Sequence, residues 1–523
     1  MSQDLSTLWK QSAASLSRLI AAGDVSSEEV TRAHLDRIDQ VDRRVRAFTV
    51  VLRAEATAAA RRADEERRRG EVRGPLHGLP FSVKESLDVA GQASTLGVPS
   101  RRETVSTHDS AIVRMIREAG GVIVGRTNVS QLLLYHESRN PLFGQTANPW
   151  SLAHTPGGSS GGEAAALAAG MSALGVGTDI GGSIRVPAHF SGIAGLKPTL
   201  DRWTNLGANG AIAGQEVIRA QLGPMARSAR DLTLLMQGLD PARMSALDPR
   251  VPPVPFGDPA RIDVGRLRVG YYGCDGLIPS SQAVARAVHS AAAALRGRGA
   301  QVFEWLPPDL EQAVYGYFAA MSADGGTTAW ALLGDTEPDI ALRSLKTAAR
   351  LPDSARRALA RIAGLAGEQR FRRMLEAMGK KSVAELWRWT KTLRDYRVSL
   401  LAAMDAAGLD VLLCPAHATP ALPHTCSRDF ALAGSPSMLW NIVQFPAGVV
   451  PVTRVRPDET RRERPQDRME KRAAEVDRQS AGLPVGVQVV GRPWAEDVVL
   501  AAMTAIEDGL DEQVRPRPPV DLQ

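Results

Sequence analysis

Two glycine-rich loops each present a serine. The first is Gly157-Gly158-Ser159-Ser160-Gly161-Gly162 and the second is Gly181-Gly182-Ser183-Ile184-Arg185-Val186-Pro187. An isolated lysine, Lys84, lies upstream in Gly78-Leu79-Pro80-Phe81-Ser82-Val83-Lys84-Glu85. A serine hydroxyl attacks a carbonyl only once a base takes its proton. Glycines let backbone N–H groups approach the reacting carbonyl and hold its developing negative charge. Together these residues read as a serine hydrolase whose base is a lysine. A formal Gly-x-Ser-x-Gly also occurs twice, centred on Ser159 and on Ser160. The nucleophile elbow that this pattern marks needs a strand directly before it. His154-Thr155-Pro156 stands there instead, which argues against a Ser-His-Asp hydrolase. A lone Gly-Gly-Ser would be only a tight turn; two such loops with Lys84 outweigh that reading.

The elements that must position these residues alternate between helix and strand. Residues 12–70 read as helical. Ser26-Ser27-Glu28-Glu29 is a capping-box pattern ahead of Val30. Leu35, Ile38, Val41 and Val45 follow at helical spacing. Residues 81–84 predict a short strand with Lys84 near its end. Residues 111–119 predict a helix stopped by Gly120-Gly121, and 122–124 a buried strand. Residues 163–169 form a small-residue helix ending at Gly170. A strand over 174–178 and a tight turn over 179–183 make Ser183 project from a strand end, the usual place for a nucleophile in an open α/β sheet. The proline-rich stretch 241–259 reads as a link between core segments. Further strands are predicted at 267–272, 410–415, 447–455 and 485–490, with an amphipathic helix over 281–296. Residues 461–479 are a dense mixed-charge insertion, read as a solvated surface helix or loop. The β–α–β rhythm predicts an α/β fold with helices on both faces of the sheet.

Bulk properties exclude several classes. The chain has 523 residues, and 44% are apolar, enough for a large core. Lys plus Arg (63) barely exceed Asp plus Glu (57), giving +6. A nucleic-acid partner would need a clustered basic face, so none is expected. The three cysteines, Cys274, Cys414 and Cys426, are odd in number and lack a Cys-x-x-Cys, which fits a reducing compartment without disulfides. The nine histidines have no ligand spacing, so no metal is expected. The N-terminus, Met1-Ser2-Gln3-Asp4-Leu5, lacks the pattern of a signal peptide. With no long apolar run, a cytoplasmic protein is expected.

The loop 157–162, the segment Gly177-Thr178-Asp179-Ile180-Gly181-Gly182-Ser183-Ile184-Arg185 and Gly195-Leu196-Lys197-Pro198-Thr199 together resemble the amidase signature family. The likeness runs from the N-terminal helices to Leu483-Pro484-Val485-Gly486-Val487-Gln488. It is strongest to the family's fatty-acid amide hydrolase branch. The carriers are Asn140-Pro141-Leu142-Phe143-Gly144-Gln145-Thr146-Ala147-Asn148-Pro149-Trp150, the pair Gly162-Glu163, and Phe445-Pro446-Ala447-Gly448-Val449-Val450-Pro451.

The resemblance implies one large α/β domain with a central mixed sheet. Within it, 1–70 is an N-terminal helical region packed on a catalytic unit, 71–523. That unit carries core motifs at 78–200, a cap-like insertion at 340–380 and a charged insertion at 457–480. The resemblance also implies roles. Lys84 is the base, Ser159 the bridging serine and Ser183 the nucleophile. The N–H groups of Ile180, Gly181, Gly182 and Ser183 form the oxyanion hole, and Leu133 and Leu134 line the acyl channel. No cofactor is needed.

A free lysine has a pKa of about 10.4 and is a poor base at neutral pH; burial would lower it. The expected reaction cleaves fatty-acid or other hydrophobic acyl amides through an acyl-enzyme on Ser183. A protein like the glutamine-hydrolysing subunit of an amidotransferase and an aryl or peptide amidase are the alternatives. Asp179 and Arg185 read as loop braces, Ser160 as a cap or brace, and His154 and His189 as structural. Lys197 reads as paired or on the surface, and Cys414 as core. Leu132-Leu133-Leu134 suits an acyl chain or a core helix. The 340–378 segment resembles a membrane-docking cap, with Leu359, Ile362, Ala363 and Ala366 on one helical face and Arg356, Arg357, Arg361 and Arg370 elsewhere. It reads as an ordinary surface helix or a peripheral lipid contact. The resemblance also admits a homodimer.

Overall fold

The apolar runs of the chain become strands of one sheet. They are β1 (Phe48–Val51), β2 (Pro80–Lys84), β3 (Val122–Thr127), β4 (Leu174–Asp179), β5 (Ala194–Lys197), β6 (Gln221–Ala226), β7 (Arg268–Tyr271), β8 (Gln301–Glu304), β9 (Val411–Pro415), β10 (Ala447–Arg454) and β11 (Pro484–Gly491). This computed structural model describes residues 5–428 and 430–510. Residues 1–4, where the N-terminal reading began, and 511–523, the end of the 71–523 unit, lie outside the described residues. The 11 strands are ordered β1-β3-β2-β4-β6-β5-β10-β11-β9-β7-β8. The sheet is mixed: β2 runs parallel to β3 and β4, whereas β4 and β6 are antiparallel. β9 and β11 are buried along their whole length. Strands covered on both faces read as continuous apolar runs rather than alternating ones. The helices Gln282–Gly297 and Glu496–Gly509 pack on β9, β10 and β11, and Gly161–Ala168 packs on β2 and β4.

The N-terminal helices join the same core, through Leu16, Ile20 and Val30. The Ser26 cap forms as its sequence requires. Glu29 N–H donates to Ser26 Oγ at 3.1 Å, and Ser26 N–H donates to Glu29 Oε2 at 2.8 Å. Such a cap contributes about 1 kcal/mol. One segment departs from the helical reading: Phe48-Thr49-Val50-Val51 is β1, an edge strand antiparallel to β3. Its aromatic and β-branched residues favour a pleated surface over a helix.

Other segments are also more ordered than their composition suggests. The proline-rich link contains a helix, Pro241–Leu247, capped by Asp240. The mixed-charge insertion contains the helix Arg468–Arg478, which is not simply solvated. Met469, Ala473 and Val476 form a buried stripe, and Asp477 accepts from Arg462 Nε at 3.0 Å. Three apolar residues at helical spacing are hidden in the sequence by the charge around them.

The 340–378 segment folds as three helices, Ile340–Arg350, Asp353–Leu365 and Gln369–Ala377. Leu359 (37% exposed), Ile362 (62%) and Leu365 (91%) face outward, whereas Ala363 is buried. Arg356 turns inward and donates to Leu375 O at 3.1 Å. Arg370 pairs with Asp467 and Glu470, tying this segment to the charged insertion.

Candidate active site

Because β2 and β4 are parallel neighbours, their ends meet, and Lys84 arrives beside Thr178. The loop 156–160 then opens into the helix Gly161–Ala168, and the turn after β4 leads into the helix Arg185–Ser191. Lys84 Nζ lies 2.7 Å from Ser159 Oγ, 2.7 Å from Thr178 Oγ1 and 3.4 Å from Thr178 O. The Gly158–Ser159 peptide is cis. Lys84 is fully buried, and no ion pair reaches it among the described residues. Burial pushes its amine down to about 7, against the pull of Asp179, Glu163 and Glu85. Near neutral pH a substantial fraction is therefore free amine.

Ser160 N–H donates to Ser183 O at 3.2 Å, which stitches the two serine loops together. Ser159 and Ser183 open onto one cavity of about 190 Å³, shared with Thr178, Ile180 and Leu132 to Leu134. Its outer part is lined by Gln215, Glu216, Arg219 and Arg250. Leu133 and Leu134 thus stand beside both serines, in a 3-10 turn rather than a core helix. Leu132 and Leu133 have φ of 57° and 59°, a left-handed backbone that leucine adopts only at a cost. That turn places Leu132 in a cluster with Val98, Leu333 and Leu342, against which Leu134 also packs, and all three leucines border the cavity.

The turn itself is held from below by Asp179. Its carboxylate accepts from Gly182 N–H (2.9 Å), Ile184 N–H (3.0 Å), Arg185 Nη2 (2.8 Å) and Asn441 Nδ2 (2.9 Å). Burial opposes the charge on Asp179, but the Arg185 guanidinium and these hydrogen bonds hold the carboxyl well below its usual range. Arg185 also donates to Ser437 O at 2.8 Å, Gln488 Oε1 at 2.7 Å and Asn441 Oδ1 at 2.6 Å. The reading of Asp179 and Arg185 as braces fits this geometry. Gly182 N–H, one of the four suggested oxyanion donors, also donates to Asp179 Oδ1 at 2.9 Å. Gly182 has φ of 107°, and a Cβ there would come within 2.8 Å of the Ser437 Cβ, so only glycine fits.

The remaining residues sort clearly. Ser160 Oγ donates to Thr178 O at 3.3 Å and braces the loop; its side chain makes no helix cap. His189 lies between Gly486 O and Thr419 O, and His154 meets Ser151 Oγ at 2.8 Å. Burial pushes the Cys414 thiol up to about 11, so it is inert. Lys197 is not on the surface, and it has no ion pair among the described residues. It is buried in an interior strand, with Nζ 2.8 Å from Pro198 O. Burial, aided by Arg185, pushes its amine down to about 7.

Asn441 and Gln488 fall in or beside stretches that carry the family likeness but take no role from it, and nothing in the sequence signals His136, whose Nε2 lies 3.1 Å from Gly181 O. These contacts join segments distant in the chain. Thr178 is within reach of sequence reasoning: it precedes the Ser183 turn on a strand neighbouring that of Lys84.

A sequence profile described as Amidase matches residues 29–500. The chain belongs to the amidase family. As an amidase, it is 35% identical to "Fatty-acid amide hydrolase 1" from Sus scrofa over 502 residues, covering 93% of this chain and 84% of the relative. It is 30% identical over 492 residues to a glutamyl-tRNA(Gln) amidotransferase subunit from Synechococcus sp., covering 92% of each. A solved structure described as "Fatty acid amide hydrolase" superposes with a TM-score of 0.86 at 29% identity, covering 97% of this chain and 86% of that one. This amidase therefore shares the single α/β domain and large mixed sheet of its relatives.

Proposed function

We propose that this amidase hydrolyses hydrophobic acyl amides, of which fatty-acid amides are the leading class, through a Lys84–Ser159–Ser183 relay. The observation that carries the reading is the 2.7 Å contact between a fully buried Lys84 and Ser159 Oγ, at a cavity that also holds Ser183. In this scheme neutral Lys84 takes the Ser159 proton, and Ser159 takes the proton of Ser183 as Ser183 Oγ attacks the amide carbonyl. The N–H groups of Ile180, Gly181, Gly182 and Ser183 are the candidate donors to the oxyanion, each contributing about 3–4 kcal/mol of transition-state stabilisation. The proton then returns through Ser159 to the leaving nitrogen, which departs as amine or ammonia. Water enters by the reverse route and frees the acid. The apolar lining contributed by Leu133, Leu134, Ile212 and Met321 favours an acyl chain over the polar side chain of glutamine.

The test is an assay of the purified chain alone with oleamide and with glutamine. Release of oleic acid supports the reading; hydrolysis of glutamine with none of oleamide reverses it in favour of the amidotransferase alternative. A second proposal concerns delivery. The outward Leu359, Ile362 and Leu365, flanked by exposed Arg357 and Arg361, form a basic amphipathic face suited to an anionic lipid surface. Among the described residues no helix is long and apolar enough to cross a membrane.

A further inference from the structure

Glu163 is an acid in an unusual place. It sits in the first turn of the helix Gly161–Ala168, four residues after Ser159, and is fully buried. Its carboxylate accepts from Thr127 Oγ1 at 2.7 Å and from the Ser82 hydroxyl. Ser82 lies two residues before Lys84 on β2, so both side chains leave the same face of the strand. Thr127 is the residue of β3 in register with Lys84. On the other side, a Cβ at Gly175 of β4 would collide with Glu163 Oε1, so the sheet keeps a glycine where the carboxyl lies. Glu163 therefore touches all three strands around the base.

Asp179 pulls on Lys84 more strongly than Glu163, and Glu85 less, but both of these acids are already compensated. Asp179 is ion-paired with Arg185 at 2.8 Å. Glu85 accepts from Thr95 N–H and Oγ1 and from Leu96 N–H, with Arg126 nearby. Glu163 has no ion pair among the described residues.

We infer that Glu163 is a positioning residue for the base: it fixes the strands that carry Lys84 and adds a counter-charge, the one not tied up in an ion pair or in backbone hydrogen bonds, that tunes how firmly the amine holds the relayed proton. The inference rests on the Lys84 base reading. When Lys84 takes the Ser159 proton it becomes an ammonium, with only hydroxyls and a carbonyl in contact. A carboxylate beneath it stabilises that ammonium until the proton goes back through Ser159 to the leaving nitrogen. Burial pushes the Glu163 carboxyl up to about 7, opposed by its two hydroxyl donors and by Lys84, so the two groups titrate in the same range and respond to one another.

The experiment is kcat/KM against pH with oleamide, for the full-length wild type, Lys84→Ala, Glu163→Gln and Thr127→Val, with each variant's Tm. The wild type rises with pH through a midpoint set by Lys84. Glu163→Gln removes the counter-charge, disfavours the ammonium and moves that midpoint to lower pH, by roughly one unit. Thr127→Val withdraws one donor from the carboxylate and moves it the same way by less, which keeps the test available if Glu163→Gln does not fold. A wild-type limb that vanishes in Lys84→Ala but stays unmoved in the folded Glu163 and Thr127 variants overturns this inference alone, whatever their Tm. A limb that persists in Lys84→Ala overturns the base reading, and this inference with it.

Discussion

Lys84 and Lys197 are two fully buried lysines, each with its amine pushed down to about 7 by burial. Their surroundings differ. Lys84 stands between two hydroxyls at the edge of a cavity. Lys197 sits inside the sheet, against the carbonyl of Pro198. Desolvation dominates in both places, with Arg185 adding to it at Lys197, and only Lys84 has a hydroxyl proton within reach among the described residues. A perturbed amine marks a candidate base; the hydroxyl partner and the open space beside it decide the role.

The comparison can be broken most severely at the nucleophile. Ser183→Ala is expected to abolish both hydrolysis and labelling by a fluorophosphonate probe; labelling that persists in this variant breaks the assignment. Next is Lys84→Ala, with kcat/KM lower by on the order of 10²–10⁴-fold. The loss is greatest near neutral pH, where the free amine of the wild type is the working form.

Lys197→Met sharpens the contrast. Folding strips a proton from each buried lysine at any pH between about 7 and its unfolded value of about 10.4, so the unfolded state binds more protons there and wild-type stability rises with pH across that window. Lys197→Met is expected to flatten part of this rise in denaturant unfolding while leaving the pH midpoint of activity in place. A shifted midpoint would make Lys197 part of the catalytic site. The smallest effect on chemistry is expected in the cap. Replacing Leu359, Ile362 and Leu365 with serine should reduce co-sedimentation with anionic vesicles and leave kcat on a dissolved short-chain amide unchanged. Equal sedimentation removes the lipid proposal.

The candidate catalytic constellation is legible in the sequence because its residue types are rare in combination: two serines in glycine loops and a lysine at a strand end. Strands β2, β3, β4, β7, β9, β10 and β11 are legible in the sequence as largely apolar runs, whereas β5, β6 and β8, for which no strand is expected, are interrupted by glycine, proline or polar residues. Other features are hidden for definite reasons. β1 is a four-residue edge strand between two long helices, too short to impose its own period. The buried stripe of Met469, Ala473 and Val476 lies under a dense charge pattern. Lys197 carries no local mark of burial, because its depth comes from the position of β5 between β6 and β10. The engagement of Gly182 by Asp179 depends on how a turn curls back, which spacing does not encode. Glu163 is visible only as part of a motif, since its partners Ser82 and Thr127 are brought to it by sheet order.

The relay itself is tested most directly by the second-order rate of Ser183 phosphonylation, read by intact mass, as a function of pH in the wild type and in Lys84→Ala. The account predicts a wild-type rate that climbs through about pH 7 to a plateau, as the Lys84 amine loses its proton, and a Lys84→Ala rate that is low and lacks that climb. Equal rates in the two proteins at neutral pH would contradict it.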